Sequence, residues 1–236
     1  MHQRLQKIIG AAGICSRRRA EELILAKRVF VNNKLASLGD KADEQIDVIK
    51  IDEYIIPKVN KSKVILLNKP AGIVCSCNDN QGRKTVLDLL PNTLRQGMYP
   101  IGRLDMYSRG AIILTNNGFL TLQLTHPRYK HTKTYKVLIK GRPNKEVLQK
   151  WKNGVIIDGK KTKEAKIFVM KNLQNKTLLE VEISEGRNRQ IRKIGSKLGH
   201  EVIDLQRTKI ANIKLDGLKE GNWRSLDKIE WQYLLN

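Results

Sequence analysis

The stretch that most constrains the fold is residues 102–114, in which a charged loop runs directly into an apolar strand. A glycine at each end of the loop permits a sharp turn. Asp105 lies between Arg103 and Arg109, and the run Ala111 to Leu114 is apolar throughout, as expected of a buried strand. Such a loop holds its carboxylate in a fixed place, and neighbouring cations favour the charged form. A carboxylate of this kind can act as a nucleophile.

The rest of the chain beyond residue 62 predicts an α+β fold with a large, mostly antiparallel or mixed sheet flanked by helices, because short strand-like runs outnumber helical ones and follow one another. The predicted strands are 64–67, 73–75, 112–114, 134–139, a pair around Asp158-Gly159, a pair around Asn175 that includes 178–183, then 202–205 and 210–215. The predicted helices are 85–90, 119–124, 144–151, 188–197 and a last one capped by Ser225 that presents Leu226, Ile229, Tyr233 and Leu234.

Residues 1–57 are predicted to form a separate small domain of two helices followed by a hairpin. The first helix ends at Gly13, and Ser16 can cap the second. Asn32-Asn33 suits the hairpin turn. The apolar residues at helical spacing, expected to face inward, are Leu5, Ile8, Ile9, Ala12, Ala20, Leu23 and Ile24.

Charge is divided sharply within this small domain. Residues 1–34 carry eight Lys or Arg against two Glu, whereas residues 35–57 carry two Lys against six Asp or Glu. Arg17, Arg18 and Arg19 fall in the first turn of the second helix, where the helix dipole disfavours cations. A phosphate backbone would offset that cost; the alternative interpretation is a solvated helix end.

The boundaries that follow are a linker at 58–62, which is short and polar, and a second domain at 63–236 that contains Asp105. No apolar run approaches the ~20 residues that span a bilayer. The amino terminus lacks a signal-peptide pattern. We therefore expect a cytoplasmic protein that does not act at a membrane, and we expect a monomer.

Composition points to a polyanionic partner, because the 236 residues carry a formal net charge of +22. Nucleic acid and anionic membrane are the two candidates. A basic amphipathic helix with large apolar anchors is missing from the sequence, and this disfavours the membrane.

Metal and nucleotide cofactors are not predicted. Cys75 and Cys77 are separated by one residue, His126 and His131 straddle Pro127, and neither spacing suits zinc. Alternating positions on a strand are the preferred interpretation of the two cysteines. The sequence contains no phosphate loop or dinucleotide fingerprint, and three cysteines in all fit a reducing compartment.

Several motifs together resemble the pseudouridine synthases that modify ribosomal RNA, in particular the bacterial group with an amino-terminal alpha-L RNA-binding domain like that of a small-subunit ribosomal protein. The motifs are Asn68-Lys69-Pro70-Ala71-Gly72, Gly102-Arg103-Leu104-Asp105 with Ser108 and Gly110, Leu114-Thr115-Asn116-Asn117-Gly118, Lys133-Thr134-Tyr135 and Glu185-Gly186-Arg187-Asn188-Arg189-Gln190-Ile191-Arg192. The small domain adds Arg17 to Ala20 ahead of the hairpin. The resemblance implies isomerisation of uridine to pseudouridine by base flipping, with ribosomal RNA as partner and no cofactor.

The resemblance also implies three catalytic residues. Asp105 matches the family's catalytic aspartate. Tyr135 matches its active-site tyrosine, which can stack on a flipped base and relay a proton; without the motif, a tyrosine at the core edge would be preferred. Arg192 matches the basic partner, and a bidentate pair with Asp105 is expected.

Further residues are predicted to contact substrate or RNA. Arg103 would fill the space that a flipped base leaves, which recovers part of the cost of extrusion. Ile191 would wall the uracil pocket. The other predicted contacts are Lys69, Arg187, Arg189, Lys193 and the three arginines Arg17, Arg18 and Arg19.

Two alternatives stay open at the level of sequence. A non-catalytic RNA-binding or ribosome-assembly factor could keep this fold, although it would have no need of Asp105, Tyr135 and Arg192 together. Within the family, residues 78–83 and 185–189 favour the large-subunit enzymes over the small-subunit one.

Overall fold

A computed structural model describes residues 2–58 and 62–234. Residues 59–61 of the predicted linker lie outside this range, and the predicted domain limits at 57 and 63 stay predictions. None of the helices in the described ranges is long and apolar enough to cross a membrane.

The amino-terminal part contains two helices and two small sheets around one apolar cluster. Ser16 Oγ accepts a hydrogen bond from the backbone of Arg19 and so caps the second helix, as predicted. Asn32 and Asn33 both have positive φ, 49° and 63°, which is the type I′ hairpin turn. The elements are β1 Gln3–Arg4, α1 Leu5–Ala11, α2 Arg17–Leu25, β2 Val29–Val31, β3 Lys34–Leu35, β4 Lys41–Ala42, β5 Ile49–Ile51 and β6 Tyr54–Ile55.

The remainder is built on a nine-stranded mixed sheet. Its elements are β7 Val64–Lys69, a 3-10 helix Val86–Leu89, α3 Asn92–Arg95, β8 Tyr99–Ile101, β9 Arg109–Thr115, α4 Gly118–Thr125, a 3-10 helix Pro127–Tyr129, β10 Lys133–Lys140, α5 Lys145–Lys152, β11 Ile156–Ile157, β12 Lys160–Lys161, β13 Ala165–Asn172, β14 Lys176–Ile183, α6 Gln190–Lys197, β15 Val202–Ile210, β16 Ile213–Lys214, β17 Trp223–Ser225 and α7 Lys228–Gln232. The α+β fold with a large mixed sheet is thus confirmed.

The sheet has two halves joined at a parallel pair. Its strand order is β13-β14-β10-β15-β9-β7-β17, with β16 beside β15 and β8 beside β9. β9 and β15 run parallel through only two residue pairs, while the other pairings are antiparallel. The β7–β9 half has apolar residues on both faces. The β13–β14–β10–β15 half packs one face against α5 and α6.

Two sequence-based assignments within the sheet were wrong. Residues 73–75 do not resume a strand, because Val74 forms only an isolated bridge to Thr85. The strand predicted at 202–205 is too short, because β15 continues to Ile210. The short β16 follows after a turn and lies within the range predicted as a strand at 210–215. Residues 206–209 are polar, but they lie in the centre of the sheet, where backbone pairing to β9 and β10 holds this segment extended.

The helix ends near the carboxyl terminus also differ. Ser225 is the last residue of β17, a strand that the sequence did not predict, and Asp227 caps α7 with Glu230 in a capping box. As a result Leu226 and Leu234 are buried, whereas Ile229 and Tyr233 are exposed. α6 begins at Gln190 rather than 188 because Arg189 adopts a left-handed conformation with φ of 51°.

Candidate active site

A pocket of about 280 Å³ lies beside the parallel pair, where the two halves of the sheet meet. Its walls combine charged groups with apolar side chains from the cores of both halves of the sheet. The residues that line it include Asp105, Lys133, Tyr135, Arg189, Ile191 and Arg207.

Asp105 reaches this pocket from the loop between β8 and β9. Leu104 is buried in the core and anchors the loop. The backbone N–H of Ser108 donates to the Asp105 carbonyl at 3.0 Å, and Gly72 N–H donates to the Met106 carbonyl at 2.8 Å. With both sides of the loop bonded, the Asp105 side chain is held at the pocket with 27% of its surface exposed.

Two arginines stand close to the Asp105 carboxylate. Arg189 Nη1 lies 3.9 Å from Oδ2, and Arg192 Nε lies 4.0 Å from the same oxygen. The predicted bidentate Arg192–Asp105 pair is therefore wrong: these separations are long for hydrogen bonds, and only one nitrogen of Arg192 is near. The carboxylate instead lies near two cations, the half-buried Arg192 and the exposed Arg189.

Arg192 forms hydrogen bonds to the same loop and to β15. Its Nη2 donates to the Tyr107 carbonyl and to Ser108 Oγ at 3.3 Å each, and its Nη1 donates to the Val202 carbonyl at 3.2 Å. Burial lowers the pKa of Arg192, and the charge of Arg189 lowers it to a smaller extent. Its guanidinium thus ties α6 to the Asp105 loop as well as placing charge beside it.

α6 brings its first turn to the pocket. The left-handed backbone at Arg189 begins the helix, and Gln190 braces the preceding loop. The Gln190 side chain accepts from Arg187 N–H at 3.0 Å and donates to Glu185 at 2.8 Å. Ile191, next along the helix, is buried and lines the pocket as expected.

Tyr135 lines the pocket from the middle of β10. Its partners in the neighbouring strands are Val181 on β14 and Arg207 on β15. Tyr135 is buried, so the ring is a fixed surface rather than a mobile side chain. Together with Asp105 and Ile191 it gives the pocket a carboxylate, an aromatic ring and an apolar wall.

The predicted RNA-contacting residues are dispersed. Arg103 lines the pocket and is exposed. Arg17, Arg18 and Arg19 are exposed on α2, outside this pocket. Arg187 donates to the carbonyls of Lys160 and Lys161, and Lys193 pairs with Asp158 at 2.6 Å. These two cations hold the β11–β12 hairpin against α6.

Lys69 was assigned wrongly as an RNA contact. Its side chain is fully buried and does not line the pocket. Its Nζ donates to the carbonyls of Pro70, Met106 and Ser108 at 2.9, 3.1 and 2.8 Å. Lys69 therefore supports the Asp105 loop from beneath.

Sequence reasoning missed Lys133 and Arg207 as pocket residues. Lys133 stands in the Lys133-Thr134-Tyr135 motif, two positions before Tyr135 and so on the same face of β10. Arg207 gave no such signal, because it falls between the strands predicted at 202–205 and 210–215. A charged residue in a central strand requires a local reason, and the pocket supplies one.

Metal binding and the cysteines can be examined across the described residues. Within 2–58 and 62–234, no group of three His, Cys, Asp or Glu could hold a metal ion. The sequence predicted that Cys75 and Cys77 alternate on a strand. Instead, both lie in the irregular segment after β7. Burial raises the pKa of both thiols, which disfavours the thiolate form that metals bind.

Comparison with known proteins places this geometry in context. Residues 63–197 match the RNA pseudouridylate synthase family and residues 3–45 match the S4 domain. The ribosomal large subunit pseudouridine synthase B of Bacillus subtilis is 40% identical over 95% of this chain and 92% of its own length. The dual-specificity RNA pseudouridine synthase RluF of Escherichia coli K12 is 36% identical over 94% and 75%. A crystal structure of a pseudouridylate synthase superposes with a TM-score of 0.71 at 27% identity, covering 98% of this chain and 99% of that one.

Proposed function

The chain belongs to the RNA pseudouridylate synthase family, and we propose that it isomerises specific uridines to pseudouridine in the ribosomal RNA of the large subunit. The observation that carries the proposal is the pocket itself, in which Asp105 lies within 4.0 Å of two arginine side chains and shares the walls with Tyr135. Relatives named for the large ribosomal subunit support the choice of RNA.

The chemistry assigns a role to each of three groups. A flipped uridine enters the pocket, and the Asp105 carboxylate acts on its ribose once the base is beside Tyr135. Arg192 and Arg189 hold positive charge next to that carboxylate, so that it works as an anion. Tyr135 supplies a face for stacking, and its hydroxyl can relay a proton.

Base flipping has a cost that the exposed cations offset. Extruding a nucleotide costs a few kcal/mol. In the proposed complex Arg103, which lines the pocket and is exposed, stacks in the space that the flipped base leaves. Arg17, Arg18 and Arg19 add phosphate contacts away from the reacting nucleotide.

The proposal also covers the cofactor requirement, the oligomeric state and the location of the enzyme. The reaction rearranges one nucleoside and consumes no external reagent, so the enzyme needs no cofactor. Action as a monomer is part of the proposal. Ribosomal RNA as substrate implies action in the cytoplasm.

The decisive variant is Asp105→Asn, which keeps the side-chain shape and removes the charge. Formation of pseudouridine in large-subunit RNA should fall by at least about a thousandfold, while RNA affinity changes by no more than about threefold. Release of tritium from uridine labelled at C5 measures the first quantity, and filter binding measures the second.

The matched control is Asp216→Asn, an exposed turn residue that does not line the pocket. It should retain full activity. A wild-type protein that modifies no ribosomal RNA, or an active Asp105→Asn variant, would contradict the proposal. Mapping pseudouridines in both ribosomal subunits with and without the gene then identifies the target.

A further inference from the structure

The pocket contains two cations, Lys133 and Arg207, to which the proposed function assigns no role. Lys133 and Tyr135 are two positions apart on β10 and share a face of the sheet. Arg207 on β15 is the cross-strand partner of Tyr135. Lys133, Tyr135 and Arg207 therefore form one patch on the sheet, and all three line the pocket.

Both cations lack a counter-ion. Arg207 is only 3% exposed; its Nε donates to the Ala111 carbonyl at 2.6 Å, but its buried Nη2 has no hydrogen-bond partner. Lys133 Nζ reaches the His131 carbonyl at 3.4 Å. Across residues 2–58 and 62–234, neither side chain pairs with an Asp or Glu. Burial, followed by the charge of Arg207, lowers the pKa of Lys133.

Arg207 is buried and Lys133 is half-buried, and an uncompensated charge removed from water is costly. The pocket is therefore incomplete without a ligand that brings negative charge or strong acceptors. Two parts of an RNA could do so: a phosphate or the uracil ring. The arrangement of the cations by depth decides between them.

These cations differ in exposure: Arg103 and Arg189 are exposed, Lys133 is half-buried and Arg207 is almost fully buried. Arg103 is exposed, and the Arg189 side chain is 49% exposed beside Asp105. A flipped nucleotide stays attached to its strand, so its phosphates remain near the entrance while its base goes furthest in. Arg207 and, beside it, Lys133 should therefore meet the base.

We propose that Lys133 and Arg207 are catalytic residues that stabilise the negative charge on the detached uracil. This inference rests on the proposed function. When the bond between ribose C1′ and N1 breaks, its electron pair moves to uracil and spreads over N1, O2 and O4. Fixed donors aimed at such developing charge lower the barrier.

The remaining steps account for the bonds, electrons and protons of the reaction. The Asp105 carboxylate compensates the electron deficiency left on the sugar. A C1′–C5 bond then forms with electrons of the ring, C5 loses its proton to a base, and N1 takes up a proton. The product is an isomer of the substrate, and Lys133 and Arg207 are unchanged.

The test is a single-turnover rate with enzyme in excess over large-subunit ribosomal RNA labelled with tritium at uridine C5. Lys133→Met should slow the reaction by about a hundredfold and leave the dissociation constant of the RNA within about twofold. Lys133→Arg should recover most of the rate. Arg207→Met should behave like Lys133→Met, with its thermal melting temperature measured alongside because it loses the bond to Ala111.

Lys136→Met is the matched control, since Lys136 lies on the same strand but on the opposite face and is exposed. It should react at the wild-type rate. If Lys133→Met binds RNA more weakly but reacts normally at saturation, the cations hold a phosphate and the proposal is overturned. Wild-type activity with an unimpaired Lys133→Met overturns this proposal alone, whereas an inactive wild type overturns the proposed function.

A leaving-group probe separates charge stabilisation from a structural role. Fluorine at C5 withdraws electrons and stabilises the uracil anion, so consumption of 5-fluorouridine in the same RNA should depend less on Lys133. The ratio of wild-type to Lys133→Met rates should therefore be smaller for 5-fluorouridine than for uridine. Equal ratios would mean that Lys133 only shapes the pocket.

Discussion

Lys69 is the residue that most directly holds the Asp105 loop in position. Its ammonium bonds the carbonyls of Met106 and Ser108, on the far side of Asp105 from the anchoring Leu104. Removing an ammonium from water is unfavourable, and burial lowers the pKa of Lys69 to about 8. The loop is held in place at a cost to stability.

That cost should depend on pH. The pKa of Lys69 is about 8 in the folded state and about 10.4 in the unfolded chain, so between these values the unfolded state binds more protons. The free energy of unfolding of the wild type, relative to that of Lys69→Met, should therefore rise as pH increases from 8 to 10. Urea unfolding at a series of pH values measures this difference.

Lys34→Met, which removes an exposed lysine, is the control and should not change with pH relative to the wild type. A Lys69→Met variant that also runs parallel to the wild type would contradict the burial of the charge. Because the Asp105 loop loses two hydrogen bonds, to Met106 and Ser108, Lys69→Met should also be less active at pH 7.

At the scale of elements, the pocket depends on the short parallel contact between β9 and β15. Gly110 pairs with Arg207 there and has a φ of +111°. A Cβ at Gly110 would lie 2.2 Å from the Arg207 carbonyl oxygen, so only glycine lets the two strands approach. The same contact brings Arg207 under the Asp105 loop.

Gly110→Ala should therefore destabilise the protein by more than about 3 kcal/mol, because backbone strain and a steric clash add. Gly72→Ala is matched to it: Gly72 also has a positive φ, +83°, but a Cβ there meets nothing within 4 Å. Its cost should be about 1–2 kcal/mol. Equal losses in thermal or urea unfolding would show that the β9–β15 approach is not limiting.

The elements also show what local sequence can predict. Ser16 and Asn32-Asn33 gave the right cap and the right turn, because capping and turn formation use groups only a few residues apart. β15 was predicted to end too early, at residue 205, since the polar residues that follow are held extended by strands more than sixty residues away.

At the scale of the whole molecule, the amino-terminal part is docked against the larger one. Gln96 Nε2 donates to the Ala12 carbonyl at 3.1 Å. Gly13 and Gly97 approach so closely that a Cβ on Gly13 would lie 2.4 Å from the Gly97 nitrogen. The basic face of α2 is thus set in a definite relation to the pocket, and both can engage one RNA.

Arg18→Gln should weaken RNA binding about fivefold at low salt and reduce the slope of log affinity against log salt concentration by about one, because one phosphate contact is lost. The rate at saturating RNA should not change, since Arg18 lies outside the pocket. Lys228→Gln removes one charge from the carboxyl-terminal helix and should leave the slope unaltered. An unchanged slope for Arg18→Gln would mean that α2 does not touch RNA.

The sequence by itself determined the family, the α+β class, the S4-like helix–helix–hairpin and the identity of the candidate catalytic residues, because motif, periodicity and turn chemistry are written in neighbouring residues. Tertiary structure alone decided which cations lie near Asp105, that Lys69 is buried beneath the loop, and that Lys133 and Arg207 line the pocket without an Asp or Glu partner among the described residues. Burial and the distance between charges depend on strands brought together from distant parts of the chain, and no local pattern contains that information.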